Sequence, residues 1–354
     1  MTTGMDEAWH GLGRSHGRPV ATGVMRGTPE DFVVSELPAF VPDGEGEHLL
    51  VRVRKRLWNT MDVARCLADA LGVQRRSVTW AGLKDRHAVT EQWFGVHAPG
   101  VDLVLPDPPA GITWLEVTRH GRKLRIGALR GNRFDLVLRQ VRGTRAALHA
   151  RLLAIARAGV PNYFGPQRFG WGGGNLAGAE RLFAGRRESD RGRRGLYLSA
   201  ARSLLFNRVL SARVTDGTWN RALPGDLMTF SGSHSLFTAD AATAADARLE
   251  WLDLHPTGPL PGRGGKHPVG DPAKLEETVL GACPGYLRGL EAAGLRAERR
   301  ALRLPVAQLH WREEEPGTWR IGFRLPPGSY ATSVLRELGD FETPPASARE
   351  AADR

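Results

Sequence analysis

Cysteine is almost missing from this chain of 354 residues, where Cys66 and Cys283 are the only two. Two thiols so far apart exclude a disulfide framework and a thiolate zinc site, and they fit a reducing, cytoplasmic setting. Long apolar runs are missing as well. No stretch approaches the roughly 20 residues that a membrane-spanning helix needs, and the opening MTTGMDEAWHGLGRSHGRPV lacks the apolar core of an export signal. The 11 histidines show neither HExxH nor H-x-H spacing, so no metal site is expected. A nucleotide cradle is absent too, because GWGGGN, residues 170–175, carries neither the Lys-Ser/Thr of a phosphate loop nor a dinucleotide fingerprint. No cofactor is expected.

Negative charge is the scarcer sign, with 38 acidic residues against 49 Lys and Arg, a net charge of +11 and a pI near 10.5. That imbalance favours a polyanionic partner, nucleic acid first. Hydrophobic content of 41% and charged content of 25% leave no room for a disordered or fibrous chain. The length suits about two domains. The segment RHGRKLRIGALRGNRFDLVLRQVRGTR, residues 119–145, holds nine Lys or Arg and one acid, Asp135. Because it runs through strand-like sequence in an already basic protein, it is expected to be a phosphate-binding surface rather than merely a solvated face.

From Met25 to Ala158 strand and helix signals alternate. EHLLVRVRK sets Leu49, Val51 and Val53 on one face of a strand, with Leu50, Arg52 and Arg54 on the other. Asn59 or Thr60 can cap TMDVARCLADALG, whose Ala64, Leu67, Ala68 and Leu71 form an apolar stripe that ends at Gly72. SVTWAG and TEQWFGV read as strands, NRFDLVLRQV as another, and TRAALHARLLAIARAG as a helix. Glycine, proline and aromatics crowd at VPNYFGPQRFGWGGGN, residues 160–175, a candidate domain boundary. Two helical patterns follow, then a Gly/Pro-rich passage. Strands return with VAQLHWR and TWRIGFRL, ahead of PPGSYATSVLREL, a turn into a short helix. ETPPASAREAADR has the composition of a frayed end.

Between two of those strands, AGLKDRHAVTEQW, residues 81–93, sets Asp85 between Lys84 and Arg86 on a turn. Hydrolytic acid/base chemistry needs a second carboxylate or a base, and Glu91 lies six residues on, in a strand. A lone aspartate among cations suits another task. With an ordinary pKa of about 3.9, an aspartate is ionised at neutral pH and serves as a nucleophile without help from a base. A plain surface turn accounts for the same spacing. His87 has no partners for a metal and reads as a hydrogen-bonding or RNA-facing histidine.

The same stretch resembles the signature of the TruD family of tRNA pseudouridine synthases. TPEDFVVSELPAFVPDGEGEHLLVRVRK, RKLRIGALRGNRFDLVLR, VPNYFGPQRFGWGGGN, LSAARSLLFNRVL and LPPGSYATSVLREL resemble further family blocks in the same order, from about Met25 to Leu338. The resemblance implies a cofactor-independent isomerase that turns a uridine of tRNA, usually that at position 13, into pseudouridine, with Asp85 at the place of the catalytic aspartate. It implies substrate contacts from Phe32 in PEDFVV, where a ring can stack a flipped base, and from Asn132 in GNRF, whose amide offers a donor and an acceptor to uracil. Tyr330 stands where the family has phenylalanine, and its hydroxyl needs a partner if buried. Arg26 stands where the family has lysine as the cation paired with the aspartate; a guanidinium keeps that role. Lys84, Arg86, His87, Arg122, Lys123 and Arg168 are further RNA-binding candidates.

The fold that follows is α+β: a pseudouridine synthase core with a mixed, mostly antiparallel sheet, built from residues 24–160 and 301–340, and an α/β TRUD domain inserted at 161–300, with 341–354 a disordered tail. The cleft between the two domains is expected to take tRNA, with the protein acting as a monomer. Two rivals remain at this point. A non-catalytic RNA-binding module would use the same basic cleft, but an intact Asp85 argues against it. An RNA-processing hydrolase would need a second acid or a metal.

Overall fold

A computed structural model describes residues 5–100 and 104–345. The chain divides into two compact units. One comprises Ala21–Thr144, Ala307–Gly328 and Asp340–Arg354, and the other Met1–Val20, Arg145–Val306 and Ser329–Gly339. The helix at 145–158 and the segment 329–339 thus group with the middle of the chain, whereas the resemblance implies boundaries near 160 and 300. Packing explains the grouping, since Arg151 of that helix donates to the carbonyl of Glu337 at 2.6 Å.

The first unit is built on a ten-stranded sheet. Its early strands are β1 (Ala21–Met25), β2 (Phe32–Pro38), β3 (His48–Arg56), β4 (Val78–Trp80), β5 (Val89–His97), β6 (Ile112–His120) and β7 (Leu129–Arg142), and the strands Ala307–Glu315 and Thr318–Leu325 extend it beyond β7. β2 and β5 run parallel. β7 is antiparallel to β1, to β2 and to Thr318–Leu325, and β3 is antiparallel to β5 and β6. The sheet is therefore mixed and mostly antiparallel, within an α+β fold. Helix α1 (Thr60–Ala70) follows β3 and lays Val63, Ala64, Leu67 and Ala68 on Leu49, Val51 and Val53, as the apolar stripe requires. Phe32, Phe134 and Phe323 form an aromatic ladder across three adjacent strands. Residues 346–354 of the expected tail lie outside the described residues, but Phe341 and Glu342 belong to a strand, Gly339–Glu342, that pairs with β1.

The second unit centres on a long helix. After α2 (Arg145–Ala158) and α3 (Gly174–Phe183), α4 (Arg191–Thr215) starts at Asp190, whose side chain accepts from the amides of Gly192 and Arg193. Midway along α4, fully buried Asn207 receives the amide of Phe164 and donates back to its carbonyl, so one side chain closes the backbone of the Gly/Pro-rich passage. A four-stranded antiparallel sheet carries Leu227–Phe230 between Phe237–Thr238 and Leu254–Leu260, with Glu298–Ala301 at the edge. Among the described residues no helix is long and apolar enough to cross a membrane.

Candidate active site

The turn between β4 and β5 is held from below by buried polar groups. Gln92 of β5 donates to the carbonyl of Gly82 at 3.1 Å and accepts from the hydroxyl of Thr60 at 2.9 Å, while that hydroxyl accepts the amide of Lys84 at 2.9 Å. The Lys84 side chain turns inward, with only 8% of it exposed, and its Nζ lies 2.7 Å from Oε1 of Glu36 on β2. The other oxygen of Glu36 accepts the amide of Trp93. Lys55 of β3, wholly buried, donates from Nζ to the carbonyls of Trp58 at 2.6 Å and Asp85 at 2.8 Å. The turn hides its lysine and exposes its leucine, for Leu83 is 70% exposed.

This scaffold leaves the Asp85 side chain part-exposed, and Arg26 meets it: Nη1 lies 2.7 Å from Oδ2. Arg26 sits in the turn between β1 and β2 with a left-handed backbone, φ 59°, which is uncommon for a residue with a side chain. The turn is fixed from two sides. Asp31 accepts the amide of Thr28 and takes a two-pronged hydrogen bond from Arg139 of β7, and the Arg26 guanidinium rests 3.9 Å from the centroid of the Phe32 ring. The strained backbone and the stacked guanidinium thus aim one fixed cation at one carboxylate.

Phe32, Lys84, Arg86 and His87 each have partners in the structure. Phe32, expected to contact the substrate base, is buried edge-on against Phe134 with Arg26 over its ring. Lys84, expected to contact RNA, has its ammonium withdrawn from solvent and paired with Glu36. Arg86 stays exposed and donates to the carbonyl of Leu57, while the amide of His87 points at Oδ1 of Asp85, 3.4 Å away. Glu91 is no second catalytic acid. Burial works to raise its pKa, but hydrogen bonds from Arg54 and Arg52 outweigh that and hold it below the usual carboxylate range. Arg122 and Lys123 are exposed, as a phosphate-binding role needs.

Asn132 occupies β7 opposite Glu36 of β2 and Leu325. Its Oδ1 is buried and has no hydrogen-bond partner among the described residues. The preceding Gly131 is required, since a Cβ there would collide with the carbonyl oxygen of Leu325. Apart from the family resemblance, no signal in the sequence separates this asparagine from an ordinary turn residue.

Tyr330 and Arg168 belong to the other unit. Tyr330 precedes the helix Ala331–Leu338, packs edge-on to Phe164 at 6.1 Å, and its hydroxyl accepts from Nε of Arg168 at 3.0 Å, which meets the need that its extra oxygen creates. Arg300, which sequence reasoning missed, lays its guanidinium 4.2 Å from the centroid of the Phe164 ring. Burial pushes its pKa down to about 10, with Tyr330 opposing that and Arg168 adding to it. A serine–histidine pair in the same unit has the wrong polarity for nucleophilic catalysis. Nδ1 of His255 accepts from Nε of Arg303 at 3.2 Å, so the proton sits on Nε2, which donates to Oγ of Ser231 at 2.8 Å instead of drawing its proton. Among the described residues no group of three His, Cys, Asp or Glu is placed to hold a metal ion.

The fold is shared with the crystal structure of a TruD protein from Methanosarcina mazei, which matches with a TM-score of 0.72 over 96% of this chain and 98% of that one, at 24% identity. The family model for tRNA pseudouridine synthase D (TruD) matches residues 15–176 and 189–338. The tRNA pseudouridine synthase D of Methylococcus capsulatus is 49% identical over 337 residues, 94% of this chain and 95% of that protein. That of Xanthomonas axonopodis pv. citri is 48% identical over 350 residues, 93% and 94% of the two. The chain belongs to the TruD family and is an isomerase of that kind.

Proposed function

We propose that this protein isomerises the uridine at position 13 of tRNA to pseudouridine, and that Asp85 is its nucleophile. The ion pair between Arg26 and Asp85, 2.7 Å long and built on two immobilised turns, carries this reading. Nucleophilic catalysis needs a carboxylate that is ionised, fixed and reachable, and this one is paired with a cation while staying part-exposed. The glycosidic bond between C1′ and N1 breaks, the uracil turns while held, and C5 bonds to C1′ in place of N1. Asp85 is released as C5 bonds, the C5 proton leaves and N1 takes up a proton, so the product is an isomer of the substrate and no electrons are exchanged with a cofactor. During the turn of the base, the unpartnered Oδ1 of Asn132 accepts the uracil N3–H. Tyr330, kept in place by Arg168, contributes an aromatic face to the substrate. Arg122, Lys123, Arg86 and Arg168 bind RNA phosphates in this scheme, and the protein works as a cytoplasmic monomer without a cofactor.

The test is incubation with unmodified tRNA, followed by carbodiimide treatment and primer extension, with Asp85→Ala alongside. A new stop at position 13 that disappears with the variant is expected. A stop that persists in Asp85→Ala removes the aspartate from the mechanism, and a stop elsewhere removes the assignment of the position.

A further inference from the structure

Among the described residues of its unit, Lys55 is the largest charged side chain wholly withdrawn from solvent, and the scheme above gives it nothing to do. It lies on the inward face of β3, in phase with Leu49, Val51 and Val53, where alternation calls for another aliphatic residue. Its neighbours across the sheet, Thr90 on β5 and Ile112 on β6, carry no charge. A buried ammonium without a carboxylate in contact is costly and persists only where something else requires it. Here its two acceptors are backbone carbonyls: Trp58, just before α1, and Asp85 itself.

We propose that Lys55 is a positioning residue for the isomerisation, its ammonium fixing the carbonyl of Asp85 and so the direction in which the Asp85 carboxylate points. This rests on the reading of Asp85 as nucleophile. Arg26 grips the carboxylate, and Lys55, from within the core, grips the peptide carbonyl of the same residue. With both ends of one residue held, its side chain is confined to one orientation. Misplacing a reacting group by about 1 Å costs on the order of 100-fold in rate, which is what the lysine prevents.

The device depends on charge. A hydrogen bond from an ammonium is roughly twice as strong as one from a neutral amine. Burial pulls the Lys55 pKa down to about 8, against the attraction of Asp85 and with the repulsion of Lys84, the charged groups of the turn that face it. Raising the pH through about 8 therefore leaves a neutral amine that still donates to both carbonyls, but weakly.

The experiment measures steady-state pseudouridine formation by the full chain from pH 6.5 to 9.5, for wild type, Lys55→Met, Lys55→Arg and Asp85→Ala. In the wild type kcat falls across an alkaline limb near pH 8. Lys55→Met lowers kcat about 10- to 100-fold, leaves KM for tRNA within about threefold, and has no alkaline limb. Lys55→Arg, whose guanidinium keeps its proton throughout this range, also lacks the limb, and it serves if the methionine variant does not fold. A wild-type profile that is flat to pH 9.5, a limb that survives either substitution, or a Lys55→Met enzyme with wild-type kcat overturns the proposal. Loss of activity in Asp85→Ala together with any of those results removes Lys55 alone, whereas an active Asp85→Ala removes the nucleophile on which it rests.

Discussion

Arg26 and Asp85 form an ion pair 2.7 Å long between two turns that belong to different parts of the sheet, and neither immediate cationic neighbour of Asp85 takes part in it. The sequence sets Lys84 and Arg86 against the aspartate, and the fold sends both away, one into the core and one to the carbonyl of Leu57. A turn residue's neighbours project on different sides, so adjacency in sequence is a poor guide to pairing.

Removing that cation should cost activity rather than stability. Arg26→Met is expected to lower kcat about 100-fold, the usual size of losing one preorganised charge at a reacting centre. Arg26→Lys should recover part of it, since the charge returns without the planar stack on Phe32, worth about 0.5 to 2 kcal/mol. Both variants should melt within a few degrees of wild type, because the left-handed backbone at position 26 is strained with any side chain. Single-turnover kinetics and thermal melts check this, and an Arg26→Met enzyme with undiminished kcat would sink the pairing as a catalytic feature.

The opposite split is expected at Lys84. Its partner Glu36 is almost wholly buried, so Lys84→Met strands a carboxylate in the core, and losses from breaking such pairs run to about 3 to 5 kcal/mol. The second change Glu36→Gln should restore much of the loss, because the amide needs no counter-charge. Chemical denaturation of the two variants measures it. In binding assays the dependence of tRNA affinity on salt should match that of wild type for the folded variant, as a lysine that meets no phosphate releases no counterion.

Arg122 and Lys123 should show the reverse. Removing one cation that pairs with a phosphate makes the slope of log affinity against log salt shallower by about 1. Substituting both with alanine should therefore weaken tRNA binding most at low salt and leave kcat at saturating tRNA unchanged. Affinity measured across a salt series gives the slope, and an unchanged slope would remove these residues from the RNA surface.

Much of the sheet is legible in the sequence because its strands follow simple alternation. β3, β5 and β7 and the strands Ala307–Glu315 and Thr318–Leu325 fall where the apolar pattern puts them, and α1 buries the stripe Ala64, Leu67, Ala68 and Leu71. The strand Leu254–Leu260 is not legible, because its LHPTGPL carries two prolines, which usually argue against a central strand. It tolerates them between two antiparallel partners, with Pro256 opposite Met228 and Pro259 opposite Arg299. At the site, family likeness singles out Asp85, Arg26 and Asn132, but not what holds them. Lys55 carries a readable signal, a charge in phase with three buried aliphatics, while the pairing of Lys84 with Glu36 depends on β2 lying beside β5, a parallel pairing that local sequence does not announce.

The last expectation concerns pH and the other unit. His255 is buried between Ser231 and Arg303, and burial first, then the Arg303 charge, push its pKa down to about 3 from an ordinary value near 6.5. The fold thus favours the neutral ring, while the unfolded chain binds a proton below about pH 6.5. Unfolded chains take up more protons across that window, so stability falls as the pH drops from about 6.5 and stops falling near 3. At pH 4.5 the loss from this one group is about 2 to 3 kcal/mol, at 1.36 kcal/mol for each unit of separation. Thermal unfolding from pH 7.5 to 4.5 should show it, with His255→Gln less stable at neutral pH but flatter on acidification. A variant whose melting temperature declines with acid as steeply as the wild type would place the sensitivity at other groups.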